Sequence, residues 1–220
     1  MSNHGASGVY THGFYLDTWS HVAMTLEYDT GTNASTLRVY LNGNEVNKNS
    51  TTNRSFRNPF TGRPLIIGGL TQSPWPTTDP QDMFGGVLDE ARVSNARRSA
   101  DWINASFHNQ KADSSLLRAG NVESVAAWYP NWKYRRRVVI DHEQIGEDLA
   151  DFPVLVRLSR DTLDFDKTQP EGFDIRFTAA DGAPPLDYER ESYDASRGEA
   201  IYWVRLPLVS SSSESEAMWR

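Results

Sequence analysis

The side chains able to do chemistry are few and scattered in this 220-residue chain. Asp89 and Glu90 form the obvious carboxylate pair. They lie in Met83–Val93, MFGGVLDEARV, which reads as a strand with Val87, Asp89, Ala91 and Val93 on one face. Leu88, Glu90 and Arg92 take the other face. Adjacent carboxylates on opposite faces cannot flank one glycosidic bond as acid and nucleophile, groups that work about 5–10 Å apart across a substrate. The simpler reading holds one carboxylate on neighbouring backbone or on Arg92 and leaves the other on the open face. His21 points outward after Trp19, with no Ser, Cys or second His in register, so a catalytic triad has no support. His4, His12, His108 and His142 fall in separate segments without zinc-ligand spacing. Asp164-Phe-Asp166-Lys-Thr168 opens like an EF-hand loop, but Gln169 stands where that loop needs Gly and Ile175 where it needs Glu.

Binding without catalysis suits the residues better. Sugar recognition needs aromatic faces to stack on and polar neighbours for hydroxyls. Arg38, Tyr40 and Glu90 read as outward residues on strands, and Trp75 sits in a Pro-rich loop, so these four are the candidate ligand residues. Ordinary cross-strand packing is the competing account of each exposed strand aromatic.

Nearly all the elements that must position them are strands. Trp19–Tyr28 alternates Val22, Met24, Leu26 and Tyr28 against His21, Ala23, Thr25 and Glu27. Thr36–Asn42 alternates Leu37, Val39 and Leu41 against Arg38 and Tyr40, and Asn42-Gly43 signals a type I′ hairpin turn. Pro64–Gly69 reads as a short buried strand. Ser99 is placed to cap a short helix carrying Trp102, Ile103 and Phe107 on its apolar stripe. Lys111–Ala127 is polar and small, and reads as a linker. Period-2 alternation returns at Tyr134–Ile140, at Phe152–Leu158, at Phe173, Ile175 and Phe177 before an Asp181-Gly182 turn, and at Leu186–Glu191. Ala200–Leu208 is apolar on both faces and belongs at the centre of a sheet. The pattern predicts an all-β chain of two tandem antiparallel β-sandwich modules. Module one takes residues 1–110 and is closed by the one short helix, a linker covers 111–127, and module two takes 128–220.

Composition narrows the classes further. The chain has no cysteine, hence no disulfide and no thiolate site. Net charge is −7; residues 1–128 carry 10 basic and 11 acidic side chains (−1), and residues 129–220 carry 12 and 18 (−6). That balance argues against nucleic acid as a partner. Arg135–Arg137, the one basic run, alternates faces along a strand and reads as a solvated edge. No stretch approaches the roughly 20 apolar residues of a membrane span. Met1–Tyr10 lacks the charged region and apolar core of a signal peptide.

Four ordered motifs, WSHVAMT (Trp19–Thr25), LRVYLNG (Leu37–Gly43), IIGG (Ile66–Gly69) and FGGVLDEARV (Phe84–Val93), resemble the laminin-G-like, concanavalin A-type jelly roll. The resemblance covers residues 9–110 and reads as the C-terminal part of such a domain, so the module is expected to be N-terminally truncated. It implies a jelly-roll fold and a calcium ion held by loop carboxylates, for which Asp79 and Asp82 are the available pair. Related glucanases carry E-x-D-x-x-E on one strand face, a spacing this chain lacks. Further along, WKYRRRVVI (Trp132–Ile140), DFPVLVRL (Asp151–Leu158), FDIRFTAADG (Phe173–Gly182) and YWVRLP (Tyr202–Pro207) resemble DUF2341, an uncharacterised all-β domain of bacterial surface and envelope proteins. That resemblance spans 128–220 and leaves the last strand expected to be missing. Together the two imply a non-catalytic module of a bacterial exported or surface protein, extracellular or periplasmic, that binds polysaccharide or glycoconjugate or mediates adhesion. They also imply an alternative, the extracytoplasmic region of an ExbB/TolQ-type transport assembly whose partners are envelope proteins.

Overall fold

A computed structural model describes residues 17–52, 67–71, 80–81, 84–124, 132–182 and 184–219. It is an all-β architecture with one short α-helix. Strands β1 (Val22–Asp29), β2 (Ala34–Leu41) and β3 (Asn44–Thr52) form one sheet in the order β1-β2-β3. The turn between β2 and β3 is the one its sequence demands. Asn42 (φ 49°) and Gly43 (φ 81°) both take left-handed backbone, as a type I′ turn requires. Glycine suits the second position, because its left-handed backbone strains other residues and a Cβ there would crowd the Asn104 and Phe107 side chains at 3.1 Å. On β1, Val22, Met24 and Leu26 are exposed and Thr25 is buried. The short strands β4 (Leu70–Thr71) and β5 (Pro80–Gln81) pair antiparallel.

The strand expected over Met83–Val93 is absent from its described part. Residues 84–99 enter no ladder, and Phe84, Val87, Leu88 and Val93 are exposed. Alternation supplies a pattern, but a strand exists only through a partner's hydrogen bonds. Glu90 also adopts φ 52°, which turns the chain out of extended geometry. Pro64–Ile66 of the expected buried strand lie outside the described residues; Ile67–Gly69 are not strand, and Ile67 is exposed.

Contacts divide the chain into two compact units. Described residues of the first fall in Met24–Val39 and Asn47–Arg98, and those of the second in Thr11–Ala23, Tyr40–Val46 and Ser99–Arg220. The helix α1 (Ala100–Gln110) begins where its cap predicts, with the Trp102 N–H donating to Ser99 Oγ at 3.0 Å. The sequence assigned it to the first module, whereas its contacts lie in the second unit. Ala105 joins the core of that unit, and the Trp102 ring meets Phe152 edge-on at 5.3 Å between centroids.

That unit is a two-sheet sandwich. One sheet has the order β10 (Tyr188–Asp194), β11 (Glu199–Val209), β8 (Leu149–Ser159), and the other the order β6 (Leu117–Ser124), β7 (Tyr134–Ile140), β12 (Ser215–Trp219), β9 (Phe177–Ala179). Among the described residues their strands pair antiparallel. Phe152, Val154, Val156 and Leu158 are all buried, as their alternation predicts, and face Val138, Ile140, Phe177 and Trp219 across a common core. β11 is central in its sheet, with Ala200, Tyr202, Val204 and Leu206 buried on one face; on the other Trp203 is buried, and Arg205 and Pro207 are exposed. β6 corrects the linker reading of residues 111–127. Its small polar side chains resemble a linker, but backbone groups make the ladder to β7, and Leu116 beside it anchors the core. The Arg135–Arg137 run lies on an interior strand rather than an edge. Arg135 binds Glu123 at 2.6 Å, Arg136 donates to the carbonyls of Gly120, Asp161 and Thr162, and Arg137 binds Glu216 at 3.1 Å. Phe173 is exposed on the segment that follows a 3₁₀ turn at Pro170–Gly172, so strand structure starts only at Phe177.

Candidate functional site

The residues singled out for ligand contact divide sharply in their surroundings. Arg38 on β2 donates from Nη1 to Glu27 Oε2 at 3.0 Å, and Arg97 reaches the same carboxylate at 3.5 Å. Its guanidinium is thus engaged in an ion pair on the sheet surface. Tyr40 is 2% exposed, and its hydroxyl donates to Glu45 Oε2 at 3.5 Å. A ring that deep cannot serve as a stacking platform, which corrects its assignment as an outward residue. The alternation in β2 misleads because Val39, Tyr40 and Leu41 are buried in succession, on both faces of the strand. Glu90 accepts from Arg92 Nη2 at 2.8 Å, and its own N–H donates to Asp89 Oδ1 at 2.9 Å. Both acidic side chains therefore have local partners, where the simpler reading of the pair expects one to be held and the other to stand on the open face. Trp75, Asp79 and Asp82 lie outside the described residues, the two aspartates just before and just after β5.

The remaining chemistry-bearing residues serve the frame. His21 is half-buried rather than outward; its N–H donates to Asn42 Oδ1 at 3.0 Å and its ring lies 6.0 Å from that of Phe107. Asp164 caps a 3₁₀ turn by accepting from the Asp166 N–H, and it pairs with Lys167 at 2.6 Å. The hydrogen bond and charge of Lys167 hold the Asp164 carboxyl below the usual range. Among the described residues no group of three His, Asp or Glu side chains is placed to hold a metal ion.

A concave site does occur in the second unit. Its open cleft, about 430 Å³, is lined by Phe165, Thr168, Gln169, Glu171, Tyr193 and Asp194. Two short 3₁₀ turns, Phe165–Lys167 and Pro170–Gly172, supply one wall, and the end of β10 supplies the other. The wall is fixed by close packing. Gly172 (φ 62°) lies so near Tyr193 and the Tyr202 hydroxyl that an added Cβ would meet them at 2.6 and 2.9 Å. The Gln169 N–H donates to Asp174 Oδ1 at 3.0 Å. Asp194 is the anchor of the β10–β11 turn, accepting from Ser196 Oγ at 2.6 Å and from the Arg197 N–H at 3.0 Å. Those bonds, the serine's first, hold its carboxyl below the ordinary value. No local pattern marks this cleft, since its walls are about 25 residues apart and irregular. The usable signal was Tyr193 at the end of a strand, facing a Gln-Pro-Glu-Gly turn.

Comparison with known proteins adds two family matches. Residues 5–104 match the model of the concanavalin A-like lectin/glucanases superfamily, and residues 171–219 match that of a domain of unknown function, DUF2341. Their order is the one the motifs imply. The first match starts upstream of residue 9, so describing the resemblance as the C-terminal part of such a domain is slightly off. The second is narrower than the 128–220 stretch read from the motifs. No curated protein matches the chain. One solved structure similar to part of it is an S-layer domain-containing protein (residues 221–444) from Clostridium thermocellum ATCC 27405. The two are 27% identical, with 44% of this chain and 42% of that one covered and a TM-score of 0.34. The alignment thus spans about two-fifths of that protein's chain.

Proposed function

We propose that this chain is a non-catalytic module of a bacterial exported or surface protein that binds polysaccharide or glycoconjugate, or mediates adhesion, outside the cell. The observation that carries this reading is the match of residues 5–104 to a superfamily named for lectins and glucanases, two classes that engage carbohydrate. Hydrolysis is disfavoured by the adjacent carboxylates Asp89 and Glu90, which are held by their own backbone and by Arg92. Among the described residues no helix is long and apolar enough to cross a membrane. In this reading Trp75 contributes a stacking face, and Asp79 and Asp82 are the residues of the first module that would hold calcium.

Affinity electrophoresis through a panel of polysaccharides, with calcium and with chelator, tests the proposal. Retardation by a glycan supports it. Loss of retardation in chelator, and in Asp79→Asn/Asp82→Asn, supports the metal as well. A folded chain that no glycan retards would overturn it in favour of a structural role among envelope proteins.

A further inference from the structure

We propose that the cleft between the Phe165–Gly172 segment and the end of β10 is a saccharide subsite for one hexose unit of a neutral glycan. The inference rests on the glycan-binding reading but places a binding site in the second unit, outside the residues that match the lectin and glucanase superfamily. At about 430 Å³ the cleft lies within the roughly 300–1,000 Å³ range of small-ligand sites.

The hydrogen-bonding inventory selects the ligand class. Thr168 Oγ1 donates its single proton to the Phe165 carbonyl at 2.8 Å. It can therefore only accept in its short hydrogen bond with the Tyr193 hydroxyl, which is the donor there. Tyr193 Oη keeps its lone pairs for a ligand. Glu171 also lines the cleft, and its carboxylate makes no hydrogen bond or ion pair among the described residues. Gln169 adds an amide that both donates and accepts. The site thus presents mainly acceptors, and its lining includes no Lys or Arg. Arg160, which stacks over Phe165 at 5.9 Å, is committed to the carbonyls of Ala195 and Ser196. Phosphate, sulfate and carboxylate ligands, which only accept, would face the Glu171 and Asp194 carboxylates with no basic side chain in the lining itself. Ring hydroxyls, each with a proton to donate, fit, and the half-buried Tyr193 ring offers an apolar surface for the C–H face of a sugar.

The backbone points the same way. Glu171 holds φ 64° and ψ 8°, a left-handed conformation that glycine adopts freely and glutamate does not. Strained residues of this kind cluster at ligand sites, where the fold over-determines them. Gly172 behind it packs on Tyr193 and on the fully buried Tyr202 hydroxyl, which has no hydrogen-bond partner among the described residues. The strained carboxylate is consequently presented from a preformed wall.

The test is affinity electrophoresis of the whole 220-residue chain through laminarin, galactomannan and hydroxyethyl cellulose, comparing wild type with Tyr193→Phe and Glu171→Gly. Glu171→Gly relieves the left-handed strain, so it should melt no lower than wild type and yet bind about tenfold more weakly, the loss of one hydrogen bond to a charged acceptor. Tyr193→Phe keeps the ring and should weaken binding several-fold. Variants retarded like wild type would overturn the cleft assignment while leaving glycan binding by the chain intact. No retardation of wild type would overturn both. Displacement by free spermidine but not by free hexose would identify an amine as the ligand and overturn the saccharide assignment.

Discussion

The side-chain amide of Asn109 stands in for a neighbouring strand against Leu155. Its Oδ1 accepts from the Leu155 N–H at 3.1 Å, and its Nδ2 donates to the Pro153 carbonyl at 3.1 Å. These are the two groups that β8, at the outer side of its sheet, would otherwise present to a further strand. Arg157 of the same strand donates to the carbonyls of Gln110 and Lys111 at the helix C-terminus, at 2.9 and 3.4 Å. Helix end and strand edge thereby satisfy each other's backbone groups.

Replacing Asn109 by Leu removes both bonds inside a site that is 2% exposed. Stranding a buried N–H and a buried carbonyl should cost about 2–4 kcal/mol. Urea denaturation of the whole chain measures it. A loss under about 1 kcal/mol would mean that water replaces the amide, and that the edge is not sealed by this residue.

The helix should behave as part of the second unit. A fragment of residues 99–220 retains α1, with Asn109 on the β8 edge, and β6 on the β7 edge. A fragment of 128–220, cut at the boundary that composition suggests, lacks both. The longer fragment should give a cooperative thermal transition, and the shorter one should melt lower or fail to fold. Equal melting of the two would return α1 and β6 to a dispensable role.

Tyr202 is fully buried, its hydroxyl has no hydrogen-bond partner among the described residues, and burial pushes that group well above the ordinary tyrosine value. Tyr202→Phe removes a polar atom that gains nothing in the fold, while the ring contacts with Phe177 and Tyr188 remain. The melting temperature should stay level or rise. A clear fall would reveal a hydrogen bond to an ordered water.

Acid should act late. Asp29, held mainly by the Thr32 hydroxyl, and Asp148, held by the Ser211 N–H and hydroxyl, have carboxyls below the ordinary range; so does Asp141, held first by Gln144. An unfolded carboxylate takes up its proton near pH 3.9, before these folded ones do. Their contribution is therefore complete above about pH 4 and is lost as pH falls through the lower folded values. Thermal melts from pH 7 to 2.5 should show a plateau that breaks near pH 4. A steady decline beginning at pH 6 would implicate histidine instead.

Much of the frame was legible because it depends on neighbours in sequence. Asn42-Gly43 specified its turn, Ser99 its helix, and the alternation Phe152, Val154, Val156, Leu158 its buried face, since each is decided by local backbone sterics or by period-2 geometry. The candidate site was less legible. Arg38 and Glu90 are part-buried, Glu90 off any strand, and their charges are already taken by Glu27 and Arg92. Tyr40 follows the period of an outward residue and is nonetheless buried. Met83–Val93 has the alternation of a strand, yet its described part has no ladder. The sequence by itself determined an all-β chain, its turns, its one capped helix and the inward face of its principal strands. Only the tertiary structure decided that Asn109 seals β8, that β6 is a strand rather than a linker, and that Glu171 and Tyr193 share a cleft. Each of those rests on hydrogen bonds or packing between residues far apart in the chain, and no local pattern encodes which distant partner a backbone group or an aromatic ring will meet.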